Sequence, residues 1–145
     1  MHLIIVVATE NEYKLATEIF GDKNQIIQTG VGCGNVIRTL KDIPLDENIL
    51  NFGYAGSNSI PIGTICTVKD CYNYHPNVKI DEPHYKLNGT TLCFTNNDFV
   101  TQTSIKTPVL FDMELYILLS LGFKNVTSIK IVSDNLNMEE YNEIL

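Results

Sequence analysis

Arginine is almost missing from this chain: Arg38 is the only one in 145 residues, and the nine lysines are scattered. Phosphate backbones are held by clustered cations, so a net charge of −7 with no basic patch argues against a nucleic-acid surface. The four cysteines (Cys33, Cys66, Cys71, Cys93) form no CxxC pair and have no histidine at zinc-ligand spacing. No metal site and no cofactor motif is expected from them, and they read as reduced thiols of a cytoplasmic protein, with Cys66 and Cys71 flanking a strand end. Long apolar runs are missing too. The apolar opening, residues 3–8, has no basic leader and meets Glu10 and Glu12, too short for a signal core or a membrane span. Repeats and low-complexity stretches are absent.

What remains is an ordinary globular composition, 44% hydrophobic and 19% charged, with enough chain for one domain over residues 1–145. Residues 3–8 read as a strand buried on both faces. Thr9 is placed to cap a helix over residues 10–20, which Gly21 ends. Residues 25–29 form a second strand, and the glycine-rich turn Gly30 to Asn35 opens a short helix to Leu40. Residues 48–52 and 63–69 are further strands. Residues 73–90, broken by Pro76, Pro83 and Gly89, read as an irregular excursion. A strand at 91–94, an apolar helix at 112–121, a final strand at 128–132 and a helical tail at 138–145 complete the chain. This alternation predicts an α/β fold, a single domain with a mostly parallel twisted central sheet flanked by helices. Ligand sites in such sheets lie beyond the carboxyl ends of the strands. The residues there are Glu10 to Glu12, Gly30 to Gly34, Gly53 to Ser57, and Ser133 with Asp134.

Each candidate also has a plain structural account. Glu12 sits in a first helical turn, where the helix dipole favours a carboxylate in any protein. The Gly30-Val31-Gly32-Cys33-Gly34 stretch resembles a phosphate cradle but is neither a GxGxxG nor a Walker A, and tight-turn glycines explain it. Asp134 fits a helix N-cap. Glu114 is harder to explain, since a carboxylate inside an apolar helix needs partners. His75 and His84 fall in the excursion and read as solvated.

The order of these segments says more than any one of them. Ala8-Thr9-Glu10-Asn11-Glu12, the Gly30–Asn35 turn, Asn51-Phe52-Gly53-Tyr54-Ala55-Gly56, Pro61-Ile62-Gly63-Thr64-Ile65, Asn97-Asp98-Phe99-Val100, Asp112-Met113-Glu114 and Val132-Ser133-Asp134 follow one another. The series resembles the nucleoside phosphorylase/nucleosidase superfamily, most closely the methylthioadenosine/S-adenosylhomocysteine nucleosidases, in a shortened form. The resemblance spans residue 3 to about 137. It implies that Glu12 activates the attacking water and that Asp134, beside Ser133, protonates the purine at N7. It implies further that Phe99 stacks on the base while the Val100 backbone reads its edge. Glu114, after Met113, would grip the ribose hydroxyls, with Ala55 and Gly56 as a backbone floor.

The chemistry asks for such a set independently. A purine anion leaves poorly unless an acid protonates it, and a positioned proton carrier contributes ~10²–10⁴-fold. The sugar becomes cation-like, which a carboxylate at its hydroxyls stabilises. Three features depart from the family. Tyr54 replaces a small serine, residues 73–90 are shortened, and the chain ends soon after Asp134. Expected is therefore hydrolysis of a purine nucleoside, such as an adenine nucleoside with a 5′-thio substituent, without a cofactor. The alternatives are a non-catalytic nucleoside-binding protein and a phosphorylase, the latter opposed by the isolated Arg38. The expected partners are a small-molecule nucleoside and, because the helix at 112–121 is apolar nearly all round, a second copy of the chain in a homodimer.

Overall fold

The computed structural model describes residues 3–21 and 24–144. Leu145, the end of the expected tail, lies outside them. The apolar run at the start becomes β1 (Leu3–Val7), followed by α1 (Glu10–Phe20), β2 (Gln25–Gln28), α2 (Cys33–Leu40) and β3 (Asn48–Ser57). After these come β4 (Ile65–Asn73), β5 (Tyr85–Lys86), β6 (Thr91–Thr95), β7 (Leu110–Asp112), α3 (Leu115–Ser120), β8 (Asn125–Asp134) and α4 (Met138–Ile144).

The strand expected to be buried on both faces is inside the sheet, β1 lying between β2 and β3, and β3 and β8 are neighbours with partners on their other sides. The sheet as a whole is not the mostly parallel open one expected. It is mixed, with β3–β7, β4–β5 and β4–β8 antiparallel. It also closes on itself, because β3 pairs β7, β7 pairs β6, β6 pairs β4, β4 pairs β8 and β8 returns to β3. The reason lies in the link between β3 and β4. Residues 58–64 are too few for the crossover of a dozen or more residues that a parallel return requires. With β4 reversed, β6 and β7 follow its direction, and the ring shuts against β3.

Closure changes which side chains are interior. Along β8 the isoleucines Ile129 and Ile131 face outward and pack in the cluster of Ile5, Ala16 and Phe52, under α1. Ser128 and Lys130, which alternate with them, are buried inside the ring. Ser128 Oγ donates to Asn51 Oδ1 at 2.7 Å, and Lys130 Nζ meets Asp112 Oδ2 at 3.1 Å.

Several boundaries differ from expectation. β3 runs on through Gly53 to Ser57, so those residues are strand and not a loop. Cys66 and Cys71 both lie within β4. The helix expected at 112–121 begins only at Leu115, because Asp112 ends β7 in register with Thr95 and accepts the Leu115 N–H at 2.9 Å. α3 is also covered by its own chain: Leu115 and Leu119 enter one core cluster and Leu118 another. Its apolar girth therefore calls for no partner. His84 is not solvated. Its ring stacks on Tyr72 with centroids 4.2 Å apart, and Nε2 lies 3.1 Å from Asp70 Oδ1.

Candidate active site

Thr9 caps α1 through a capping box, its hydroxyl accepting the Glu12 N–H at 3.2 Å while Glu12 Oε1 accepts the Thr9 N–H at 3.2 Å. The helix-end account of Glu12 is therefore correct as far as it goes. It does not explain the rest. Oε1 also accepts the Ala8 N–H at 2.8 Å, and Oε2 accepts the N–H of Tyr54, from β3, at 2.8 Å. Three backbone donors from two elements fix this buried carboxylate. Gly53 makes room for it, since a Cβ there would lie 2.6 Å from Oε2.

Asp134 is held in a matching way. The pairing of β3 with β8 shifts register between Ala55 and Gly56, and the shift sets Gly56 opposite Asp134. A Cβ on Gly56 would lie 2.8 Å from Asp134 Oδ2. Oδ1 accepts the Ser133 hydroxyl at 2.7 Å, and Oδ2 accepts the Leu136 N–H at 2.9 Å. Leu136 reaches that bond with φ at 66°, a left-handed conformation costing a leucine on the order of 1 kcal/mol. Asn135 secures the turn by donating to Ser57 O and Ile60 O. Burial raises the pKa of Asp134, opposed by the bonds from Ser133, Leu136 and Asn137.

Glu114 stands at the junction of β7 and α3, as the N-cap of α3. Its Oε2 accepts the Gly32 N–H at 3.0 Å. Burial pushes its pKa up to about 7, with Asp112 adding to the rise and Lys130 opposing it.

These three carboxylates share one open cavity of about 480 Å³, its mouth included. All nine residues singled out from sequence line it: Glu12, Ala55, Gly56, Phe99, Val100, Met113, Glu114, Ser133 and Asp134. Tyr54 lines it too, and burial followed by the nearby Glu12 raises its phenol pKa. His75 and His84 do not. The glycine turn contributes Val31 to the wall, but its N–H groups are no phosphate cradle. Gly32 N–H goes to Glu114, and Cys33 N–H goes to Asn97 Oδ1 at 2.9 Å.

Three residues escaped the sequence reading. Tyr141 on α4 lines the cavity with its ring 5.2 Å from that of Phe99, and burial with Glu12, Glu114 and Asp134 pushes its phenol up to about 12. Asp112 lines the cavity as well, and its carboxylate accepts the Thr95 hydroxyl at 2.5 Å besides meeting Lys130. Lys130 lies behind the site, in a smaller cavity shared with Glu12, Glu114 and Asn51. Burial works against its charge, but Asp112, Cys93, Glu114 and Glu12 outweigh that and hold its pKa above the ordinary value. A lone lysine in the apolar run of residues 126–132 was the available signal, since a buried charge demands a partner. Among the described residues no group of three or more histidine, cysteine, aspartate or glutamate side chains is placed to hold a metal.

The mixed, closed sheet places the chain, by fold, among solved nucleosidases. The chain has the fold of the methylthioadenosine/S-adenosylhomocysteine nucleosidases. The 5′-methylthioadenosine/S-adenosyl homocysteine nucleosidase of Helicobacter pylori superposes with a TM-score of 0.78 at 14% identity, over 100% of this chain and 91% of that one. A variant of the Chlamydia trachomatis enzyme, solved with MTA bound, gives 0.76 at 14% identity over 99% and 89%. The S-adenosylhomocysteine nucleosidase of Streptococcus pyogenes, solved with 5-methylthiotubericidin, gives 0.77 at 16% over 99% and 89%. No family model matches the sequence, and no curated protein matches it.

Proposed function

We propose that this chain is a single nucleosidase-like domain that hydrolyses the N-glycosidic bond of a purine nucleoside, with a 5′-thio-substituted adenosine as the preferred class. One observation carries the reading: Glu12, Glu114 and Asp134, from three separate strand ends, line one cavity together with Phe99. Glu12 has both oxygens tied to N–H donors but keeps an acceptor position on Oε2, which suits a base that takes a proton from water. Asp134, with its pKa raised by burial, suits the acid that delivers a proton to N7. Glu114 accepts the ribose hydroxyls and steadies the cationic sugar, while Phe99 and the Val100 backbone hold the base above Ala55 and Gly56.

Phosphorolysis is disfavoured by the same cavity. Its lining includes no lysine, arginine or histidine. The N–H groups that would cradle an anion are taken by the protein's own oxygens: Ala8, Thr9 and Tyr54 by Glu12, Gly32 by Glu114, Leu136 by Asp134. The test is release of free base from a nucleoside panel, with and without phosphate. Adenine should be released from 5′-methylthioadenosine at a rate indifferent to phosphate. Binding without release would instead favour a non-catalytic nucleoside-binding protein, and phosphate dependence a phosphorylase.

A cytoplasmic setting suits the four free cysteines, and none of the described helices is long and apolar enough to cross a membrane. A homodimer is a separate proposal. With α3 covered, its support is the apolar surface of exposed Ile19, Ile37, Ile62 and Ile65. Sedimentation at micromolar concentration giving a monomer would remove it without touching the chemistry.

A further inference from the structure

Gly32 and Cys33 are consecutive, yet their N–H groups are bound by acceptors from two distant parts of the chain, Glu114 and Asn97. The first N–H groups of a helix have no intrahelical acceptor and are usually satisfied by an N-cap side chain. α2 has glycine at that position and no cap bond of its own. A side chain there would be strained, with φ at 93°, and its Cβ would lie 3.2 Å from Asn97 Oδ1. The start of α2 is therefore capped by the two walls of the cavity.

Asn97 stands two residues before Phe99, at the start of the loop between β6 and β7. Glu114 stands two residues after the end of β7. Their side-chain oxygens grip adjacent peptide units, so a single residue step of α2 spans the gap between the two walls. The loop is tied a second time at its root, where Asn96 N–H donates to Asp112 O at 3.0 Å.

We propose that Asn97 is a positioning residue: its bond to Cys33 fixes the Phe99 loop relative to Glu114, setting the separation between the purine face and the ribose carboxylate. The inference rests on the roles given to Phe99 and Glu114 above. Asn97 is exposed, so its bond adds little to the stability of the fold, and its effect falls on ligand geometry.

The test compares Asn97→Ala with Asn97→Asp, which keeps the acceptor oxygen, in the full chain. Amide hydrogen exchange read by NMR should quicken at Cys33 by about threefold to tenfold in the alanine variant, the range for losing one ordinary hydrogen bond. Gly32 should quicken as well, although its own acceptor is untouched, and the aspartate variant should restore both. KM for 5′-methylthioadenosine should rise by a similar factor, with kcat little changed, as expected when binding contacts are lost equally in ground and transition states. A merely structural role would lower the melting temperature and leave KM where it was. Unchanged exchange at Gly32, or an aspartate variant as fast as alanine, overturns the proposal. The exchange result decides it even where the wild type releases no base, an outcome that sinks the nucleosidase reading instead.

Discussion

Gly53 lies against the carboxylate of Glu12 so closely that a single added carbon would overlap both oxygens, 2.6 Å from Oε2 and 3.0 Å from Oε1. Gly53 belongs to a strand and needs no unusual backbone angle, so the contact alone accounts for the glycine. Gly53→Ala should push the carboxylate off the Ala8, Thr9 and Tyr54 N–H groups. Overpacking of this kind costs typically about 1–3 kcal/mol, measurable by urea denaturation. Turnover should fall by at least ~10²-fold, the floor for removing a positioned proton carrier. A folded alanine variant with near-normal base release would show that Glu12 is not the base.

The two acid/base carboxylates should respond differently to amide replacement. Asp134 accepts one bond from a hydroxyl, which can turn to accept instead, and the others from the Leu136 and Asn137 N–H groups, which an amide oxygen can still accept. Asp134→Asn can therefore keep its place, and the prediction is a turnover loss of at least ~10²-fold with affinity nearly retained. Glu12 has no such freedom, because every partner of its two oxygens is a backbone N–H. Glu12→Gln must point an NH₂ at a donor, leaving an unsatisfied buried group at about 1–3 kcal/mol. It should lose stability as well as turnover. Paired denaturation and base-release measurements separate the cases; equal stability of both variants contradicts this account.

Much of this was legible in the sequence, for local reasons. The cap at Thr9, the stop at Gly21 and the buried run of β1 are written in adjacent residues. The nine lining residues came from their order along the chain, although nothing local shows that Phe99 and Glu114 share a cavity. Sheet closure was not legible, because it depends on a short link reversing β4 and on pairings made far away. The interior face of β8 was missed for the same reason. In an open sheet Ile129 and Ile131 face the core and Lys130 the solvent; in the closed ring the lysine is inside. Helix periodicity also ran through Asp112, because the pairing of Thr95 with Asp112 that makes it a strand residue is a tertiary fact.

Lys130 and Asp112 form an ion pair with both side chains almost wholly buried, 2% and 0% exposed. Lys130→Met should leave the Asp112 carboxylate uncompensated in the interior, and breaking such a pair typically costs about 3–5 kcal/mol. Asp112 also receives the Leu115 N–H, so its displacement would loosen the turn that carries Glu114. Adding Asp112→Asn to Lys130→Met removes the stranded charge and should recover part of the loss. A single mutant as stable as wild type in chemical denaturation would show that the pair contributes nothing.

The last prediction concerns pH, where stability and ligand affinity should move in opposite directions. Glu114 is pushed by burial, then by Asp112, from an ordinary 4.5 up to about 7. Between those values the folded chain keeps a proton that the unfolded chain has released. Raising the pH through that window therefore favours unfolding, and stability should fall from about pH 5 to about pH 7 and level off above. Burial of Asp134 raises its pKa too and adds a fall of the same sign. Affinity for a nucleoside should instead rise as the pH passes 7, because only ionised Glu114 offers all its oxygen positions to the ribose hydroxyls. Glu114→Gln cannot titrate, so it should flatten the affinity curve, leave only the Asp134 part of the fall in stability, and weaken binding throughout. Urea midpoints and nucleoside affinities of the two proteins, measured from about pH 5 to about pH 8, provide the check. Parallel curves for wild type and Glu114→Gln would mean that Glu114 does not titrate in this range, and its place in the mechanism would have to be redrawn.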